Sequence, residues 1–139
     1  MLTILISIIL FILSSTGVLV LGDVADPIVI PTLSEIESVR IGNSSTRTDE
    51  EIKQKAIEFL QSAVPTKRQS VNDTPRAEEY TFFMLQGPTN EYLYRGYFYE
   101  VEHLFGLTSE WYYEIPYNGI YEVSEDFVEA LLAEWNGEN

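Results

Sequence analysis

The chain contains no cysteine among its 139 residues. That excludes disulfides, thiolate metal ligands, a cysteine nucleophile and a lipidated cysteine at a signal cleavage site. Histidine is nearly absent too, with His103 standing alone. One histidine without cysteine makes an ordinary zinc site only where several carboxylates converge on it. A serine triad would have to use His103, and the sequence holds no G-x-S-x-G elbow. It also lacks a phosphate loop, a dinucleotide fingerprint and an Asp-x-Asp-x-Asp calcium loop. These gaps predict no cofactor, no bound metal and no catalytic residue, and they point away from an enzyme.

Basic residues are scarce. Eight Lys and Arg face 22 Asp and Glu, for a net charge of −14. The second half is the more acidic, since residues 77–139 carry a single Lys or Arg, Arg95. Nucleic acid is a poor partner for such a chain, because binding it depends on neutralising phosphates with cations. An acidic surface favours solubility through charge repulsion.

What is present begins with an apolar run. Leu2 to Gly22 has no charged residue and would span about 31 Å as a helix, close to the thickness of a bilayer core. Residues 1–22 therefore read as a membrane anchor, with a cleaved signal peptide as the alternative. Either way the rest of the chain is expected outside the cytoplasm, membrane-anchored in the first case and secreted in the second. Residues 23–34 hold Asp26-Pro27 and Ile30-Pro31 and read as an extended tether. Residues 35–137 read as one extracytoplasmic domain.

Within that domain the patterns alternate between strand and helix. Glu35 to Gly42 reads as a strand with Val39 and Ile41 on one side. Thr48 and Glu51 suggest a capping box opening a helix, whose stripe is Ile52, Ala56, Phe59, Leu60 and Ala63. Tyr80 to Gln86 reads as a second strand. Tyr92 to Phe105 reads as a long aromatic strand, with a bulge or two-sided cover near Gly96. Trp111 to Ile115 and Ile120 to Val123 form a hairpin, with Asn118-Gly119 expected at positive φ. Ser124 is the expected N-cap of a last helix with the stripe Phe127, Val128, Leu131, Leu132 and Trp135, closed by Gly137. The predicted fold is α+β: an antiparallel sheet of four to five strands with two helices on one face, preceded by an apolar N-terminal helix. The aromatics are expected to fill its core.

One polar stretch separates the first helix from the second strand. Residues 66–76, TKRQSVNDTPR, bring cations together with a turn signal at Asn72-Asp73-Thr74-Pro75. Lys67, Arg68, Asn72, Asp73 and Arg76 are the candidate interaction residues, suited to an acidic or phosphate-bearing partner. The plainer reading is a solvated connection stapled by Asn72 or Asp73. Glu100 and Glu102 would lie about 7 Å apart on one strand face. Beside Tyr and Trp they suggest an alternative, a carbohydrate-active or cell-wall glycan-binding protein.

Two blocks carry a resemblance. Ser70-Val71-Asn72-Asp73-Thr74-Pro75 and the run WYYEIPYNGIYEV at 111–123 resemble a domain-of-unknown-function family of small extracytoplasmic proteins of Gram-positive bacteria, many of them lipoproteins. The resemblance covers about residues 35–135. It implies secretion or surface display and supplies no catalytic residue. The expected function is a non-catalytic, membrane-associated extracytoplasmic binding or interaction domain. Its partner would be a protein or a cell-wall component, and the N-terminal segment would hold it to the membrane.

Overall fold

A computed structural model describes residues 25–138. The predicted N-terminal helix lies outside the described residues, and no helix among them is long and apolar enough to cross a membrane. The elements run β1 (Ser38–Ile41), α1 (Glu50–Gln61), β2 (Val64–Pro65), β3 (Thr81–Gln86), β4 (Tyr92–His103), β5 (Thr108–Ile115), β6 (Gly119–Val123) and α2 (Glu125–Asn136). The strands form one sheet in the order β1-β3-β4-β5-β6-β2. Every pairing is antiparallel.

The sheet has six strands rather than the expected four to five. The extra one is β2, whose two residues are too few to show an alternation. It pairs with β6 as an edge strand, where proline is tolerated. β1 is shorter than expected because Leu33–Glu35 forms a 3₁₀ turn before it.

Period-two alternation sends one set of side chains to a common core with both helices. Phe83, Leu85, Phe98, Tyr113, Tyr121 and Val123 meet Ile52, Ala56, Phe59 and Leu60 of α1, together with Val128 and Leu131 of α2. Phe59 sits at the centre, its ring 4.9 Å from Phe83, 5.4 Å from Tyr113 and 5.7 Å from Phe98. Burying each such side chain stabilises the fold by roughly 1.5–3 kcal/mol. Phe127, expected in this core, is 40% exposed. It lies in the first turn of α2, one position outside the buried Val128–Leu131 line.

Three local expectations need correction. The N-cap of α1 is Asp49, whose carboxylate accepts from the Ile52 N–H, and not Thr48. Asp49 is also the carboxylate that Arg47 grips, which fixes it in the capping position. The bulge lies at Leu93, where Leu85 pairs with Tyr94 and Gln86 with Tyr92. Gly96 instead leaves room for the neighbouring strand: a Cβ there would collide with the Glu114 carbonyl oxygen and stand 2.8 Å from Tyr113 Cε2. The β5–β6 loop is Pro116-Tyr117-Asn118, and Tyr117 carries the positive φ, +59°. Gly119 has no positive φ; it opens β6 and is needed because a Cβ would collide with Ala25.

That collision shows where the chain leading into the domain runs. Ala25 is buried, and Ile28, Ile30 and Leu33 pack on the helix-side core. The Tyr94 hydroxyl accepts from Val29 N–H at 2.8 Å and donates to Val29 C=O at 2.9 Å. Tyr121 donates its hydroxyl to the Asp26 carbonyl.

Candidate functional site

The second face of the sheet is covered by chain rather than by helix. Residues 66–80 leave β2, cross this face and return as β3, so the polar stretch forms a strap. Thr66 fastens its start: its N–H and hydroxyl both donate to the Ile120 carbonyl, at 2.9 and 2.6 Å. Ser70 fastens its middle, donating its hydroxyl to Glu114 Oε1 at 2.6 Å. Tyr99 donates to the other oxygen, Oε2, at 3.1 Å. Asp73 accepts from the Tyr117 hydroxyl at 2.8 Å. Beneath the strap, Tyr99, Tyr112 and Ile120 make a small second core, against which Ala77 packs.

Glu114 is the buried anchor of this arrangement. A carboxylate loses much solvation on burial and needs hydrogen bonds in return. The Ser70 and Tyr99 hydroxyls supply one to each oxygen. Burial, and then the negative charge of Glu114, push the Tyr99 hydroxyl well above its ordinary pKa of 10.0. At the neighbouring position Tyr112 is raised by burial and by its hydrogen bond to Glu110. Glu110 is in turn held below its ordinary range by that hydroxyl and then by His103. The Arg68 guanidinium stacks over the Tyr112 ring, 4.4 Å from its centre.

The strap does not fill the space under it. Arg68, Asn72 and Arg76 line a cleft of about 500 Å³ whose floor is Tyr99, Val101, Ile120 and the hydrogen-bonded Glu114. Of the five candidate residues the fold therefore brings three together. Asp73 faces a separate hollow of about 410 Å³, with Arg95, Tyr97 and Tyr117. Lys67 is exposed on the strap and lines neither. Glu100 and Glu102 lie on the opposite face of β4 from Tyr99, and with Tyr80 and Trp111 they border a third cleft.

The sequence reading missed Ser70, Tyr99 and Glu114 as partners. One signal was available: Glu114 alternates with Tyr112 on a strand otherwise rich in aromatics, so an acid on that face was either solvated or paired. Nothing in the pattern said that a distant serine would cover it.

Ser70 is buried and its proton is directed at Glu114. His103 Nε2 stands 3.2 Å from Glu110 Oε2. Among the described residues no group of three or more His, Asp or Glu is placed to hold a metal ion.

Comparison with known proteins places this strap-and-sheet arrangement in a family. The profile of DUF5301, described as a domain of unknown function (DUF5300), matches residues 24–122. The chain belongs to the DUF5301 family. The match to DUF5301 takes in β1 to β5, α1, the whole strap and β6 up to Glu122, and stops before α2. A structure described as "NMR structure of the protein from Ruminococcus gnavus" is similar to this DUF5301 chain at 28% identity and a TM-score of 0.54. The similarity covers 71% of this chain and 96% of that one. No curated protein matches the chain.

Proposed function

We propose that this DUF5301 domain is a non-catalytic binding module, held at the membrane by its N-terminal segment and displayed outside the cytoplasm, that meets its partner through the strap. The observation that carries the reading is the convergence of Arg68, Asn72 and Arg76 on one cleft of about 500 Å³, whose floor is aromatic and aliphatic apart from Glu114, already hydrogen-bonded to Ser70 and Tyr99. Guanidinium and amide groups at a rim select an anionic or carbonyl-bearing group, and an apolar floor receives a ring or alkyl portion. Arg68 is already held in place by Tyr112, so little side-chain freedom remains to be lost on binding. An acidic or phosphate-bearing protein or cell-wall component fits that combination.

The test is titration of the full chain with phosphate-bearing cell-wall polymer and with acidic peptides, followed by amide shifts along residues 66–76. Binding should weaken with salt and be lost in Arg68→Ala/Arg76→Ala at an unchanged unfolding midpoint. Binding that is indifferent to both arginines overturns the assignment. Glycan turnover abolished by Glu100→Gln or Glu102→Gln, with the fold intact, would replace it by the carbohydrate-active reading. Fractionation and N-terminal sequencing of the mature protein test the placement at the membrane; recovery from the cytosol would refute it.

A further inference from the structure

The β3–β4 ladder stops at Thr81↔Phe98, but β4 runs on to His103. On its other side β4 stays paired with β5 as far as His103↔Thr108. The chain preceding β3 does not continue alongside β4. It bends over the second face, where Ala77 packs against the Tyr99–Tyr112–Ile120 cluster. The outer edge of β4 from Tyr99 to His103 therefore has no neighbouring strand. A cleft of about 580 Å³ lies beside it, lined by Glu78, Glu79, Tyr80, Glu100, Glu102 and Trp111, with Arg76 at its boundary with the strap cleft.

The end of this ribbon is apolar and turned outward. Leu104, Phe105 and Leu107 are 67%, 108% and 82% exposed. Leu104, Phe105 and Gly106 have φ of +51°, +58° and +83°. Two successive non-glycine residues in the left-handed region cost conformational energy. Exposed apolar side chains at the tip recover none of it by burial.

Natural sheets usually protect such an edge with charged side chains, lysine above all, with proline or with a covering element. Tyr99 to His103 contains neither lysine nor proline, and its charges are glutamates. We propose that this edge is a strand-addition site for an extended, lysine- or arginine-bearing segment of a protein partner. Backbone groups of β4 supply hydrogen bonds, while Glu78, Glu79, Glu100 and Glu102 select for cations. Leu104 and Phe105 cover an apolar residue at the end of the bound strand. The same glutamates repel an anionic lipid surface, so a membrane is the less suitable occupant of the tip. The surface uses the end of the strap at residues 78–80 and adjoins the strap cleft, with which it shares Arg76, Ala77, Tyr99 and Val101, but Arg68 and Asn72 do not line it.

The test uses the full chain and a peptide alternating lysine and valine, with amide hydrogen exchange as the readout. The controls are a glutamate–valine peptide and a lysine–valine peptide with N-methylated backbone. The lysine peptide should slow exchange between Tyr99 and His103, and the glutamate peptide should not. N-methylation should weaken binding by roughly tenfold or more, as expected when backbone hydrogen bonds are lost. Glu100→Gln/Glu102→Gln, at two exposed positions, should weaken it as well, and Arg68→Ala should leave it unchanged. Equal affinity of the methylated peptide, protection on the strap instead of β4, or no binding at all overturns the proposal. So does a Phe105→Ser variant that binds the peptide as before.

Discussion

Ser70 donates a 2.6 Å hydrogen bond to Glu114, and both residues are buried. This bond joins the two sequence blocks that carry the family resemblance, one on the strap and one on β5. The Tyr117–Asp73 hydrogen bond joins them a second time. Removing the Ser70 hydroxyl leaves the buried Glu114 carboxyl with Tyr99 alone. Ser70→Ala should therefore destabilise the domain by about 1–3 kcal/mol, the range for a buried hydrogen bond to a charged group. Urea unfolding measures that loss. Limited proteolysis should find new cleavage within residues 66–76, while α1 stays protected. In a Glu114→Leu background the same substitution should cost little, because the carboxylate that needed it is gone.

Gly119 tests a different cause. A Cβ at this position would overlap the Ala25 side chain and stand 3.0 Å from Ala25 Cα. Gly119→Ala should lower stability by about 1–3 kcal/mol, the usual cost of overpacking. Ala25→Gly should restore most of it. If backbone strain were the cause, Ala25→Gly would rescue nothing. A thermal melt of the two single variants and the double variant decides.

The helix-side core was legible from the sequence because its periods are long and regular. Ile52, Ala56, Phe59 and Leu60 keep a helical spacing, and Phe83, Phe98, Tyr113 and Tyr121 lie on alternating strands. β2 was not legible, since Val64-Pro65 becomes a strand only by pairing with β6. The hairpin was found, but its turn was misassigned. Asn-Gly marks a two-residue loop by local preference, whereas the contact between Gly119 and Ala25 shifts the loop to Pro116-Tyr117-Asn118. At the candidate site, the strap residues Arg68, Asn72 and Arg76 were picked out by composition. Their convergence was not, because it depends on Ser70 meeting a carboxylate 44 positions away.

Arg47 links the two ends of the helical layer. Its guanidinium donates to both Asp49 oxygens, at 2.8 and 2.6 Å, and to the Glu134 carbonyl at 2.7 Å. It thus holds the N-cap of α1 and a carbonyl of the last turn of α2 together, where cations are favoured. Arg47→Lys keeps the charge but loses the fork geometry. The expected cost is about 1 kcal/mol, limited by the partial exposure of both side chains. The hydrogen bond from Arg47 holds the Asp49 carboxyl below its ordinary pKa of 3.8. A depressed folded-state pKa gives stability that is complete above the unfolded value and is lost as pH falls through the folded one. The wild-type advantage over Arg47→Lys should therefore be full at neutral pH and shrink below about pH 4. Denaturant unfolding across the acid range measures it; an advantage independent of pH would mean that the carbonyl bonds alone carry it.

At the alkaline end the buried tyrosines set the limit. Burial is the first cause raising Tyr99, Tyr112, Tyr113 and Tyr121 above the ordinary 10.0. For groups whose pKa is raised on folding, stability is complete below the unfolded value and falls as pH climbs through the folded ones. Each such hydroxyl costs about 1.4 kcal/mol per pH unit in that window. The unfolding midpoint should hold steady up to about pH 10 and then drop steeply. Tyrosinate absorbance should rise together with the loss of helical and sheet signal. Tyr113→Phe separates the contributions, because the Tyr113 hydroxyl is buried without a hydrogen-bond partner among the described residues. That variant should match or exceed wild-type stability at neutral pH and fall less steeply above pH 10, since one fewer proton is released on unfolding. Tyrosinate appearing gradually in a still-folded protein would mean that these rings reach solvent, and with it the view of Tyr113 as closed core would fail.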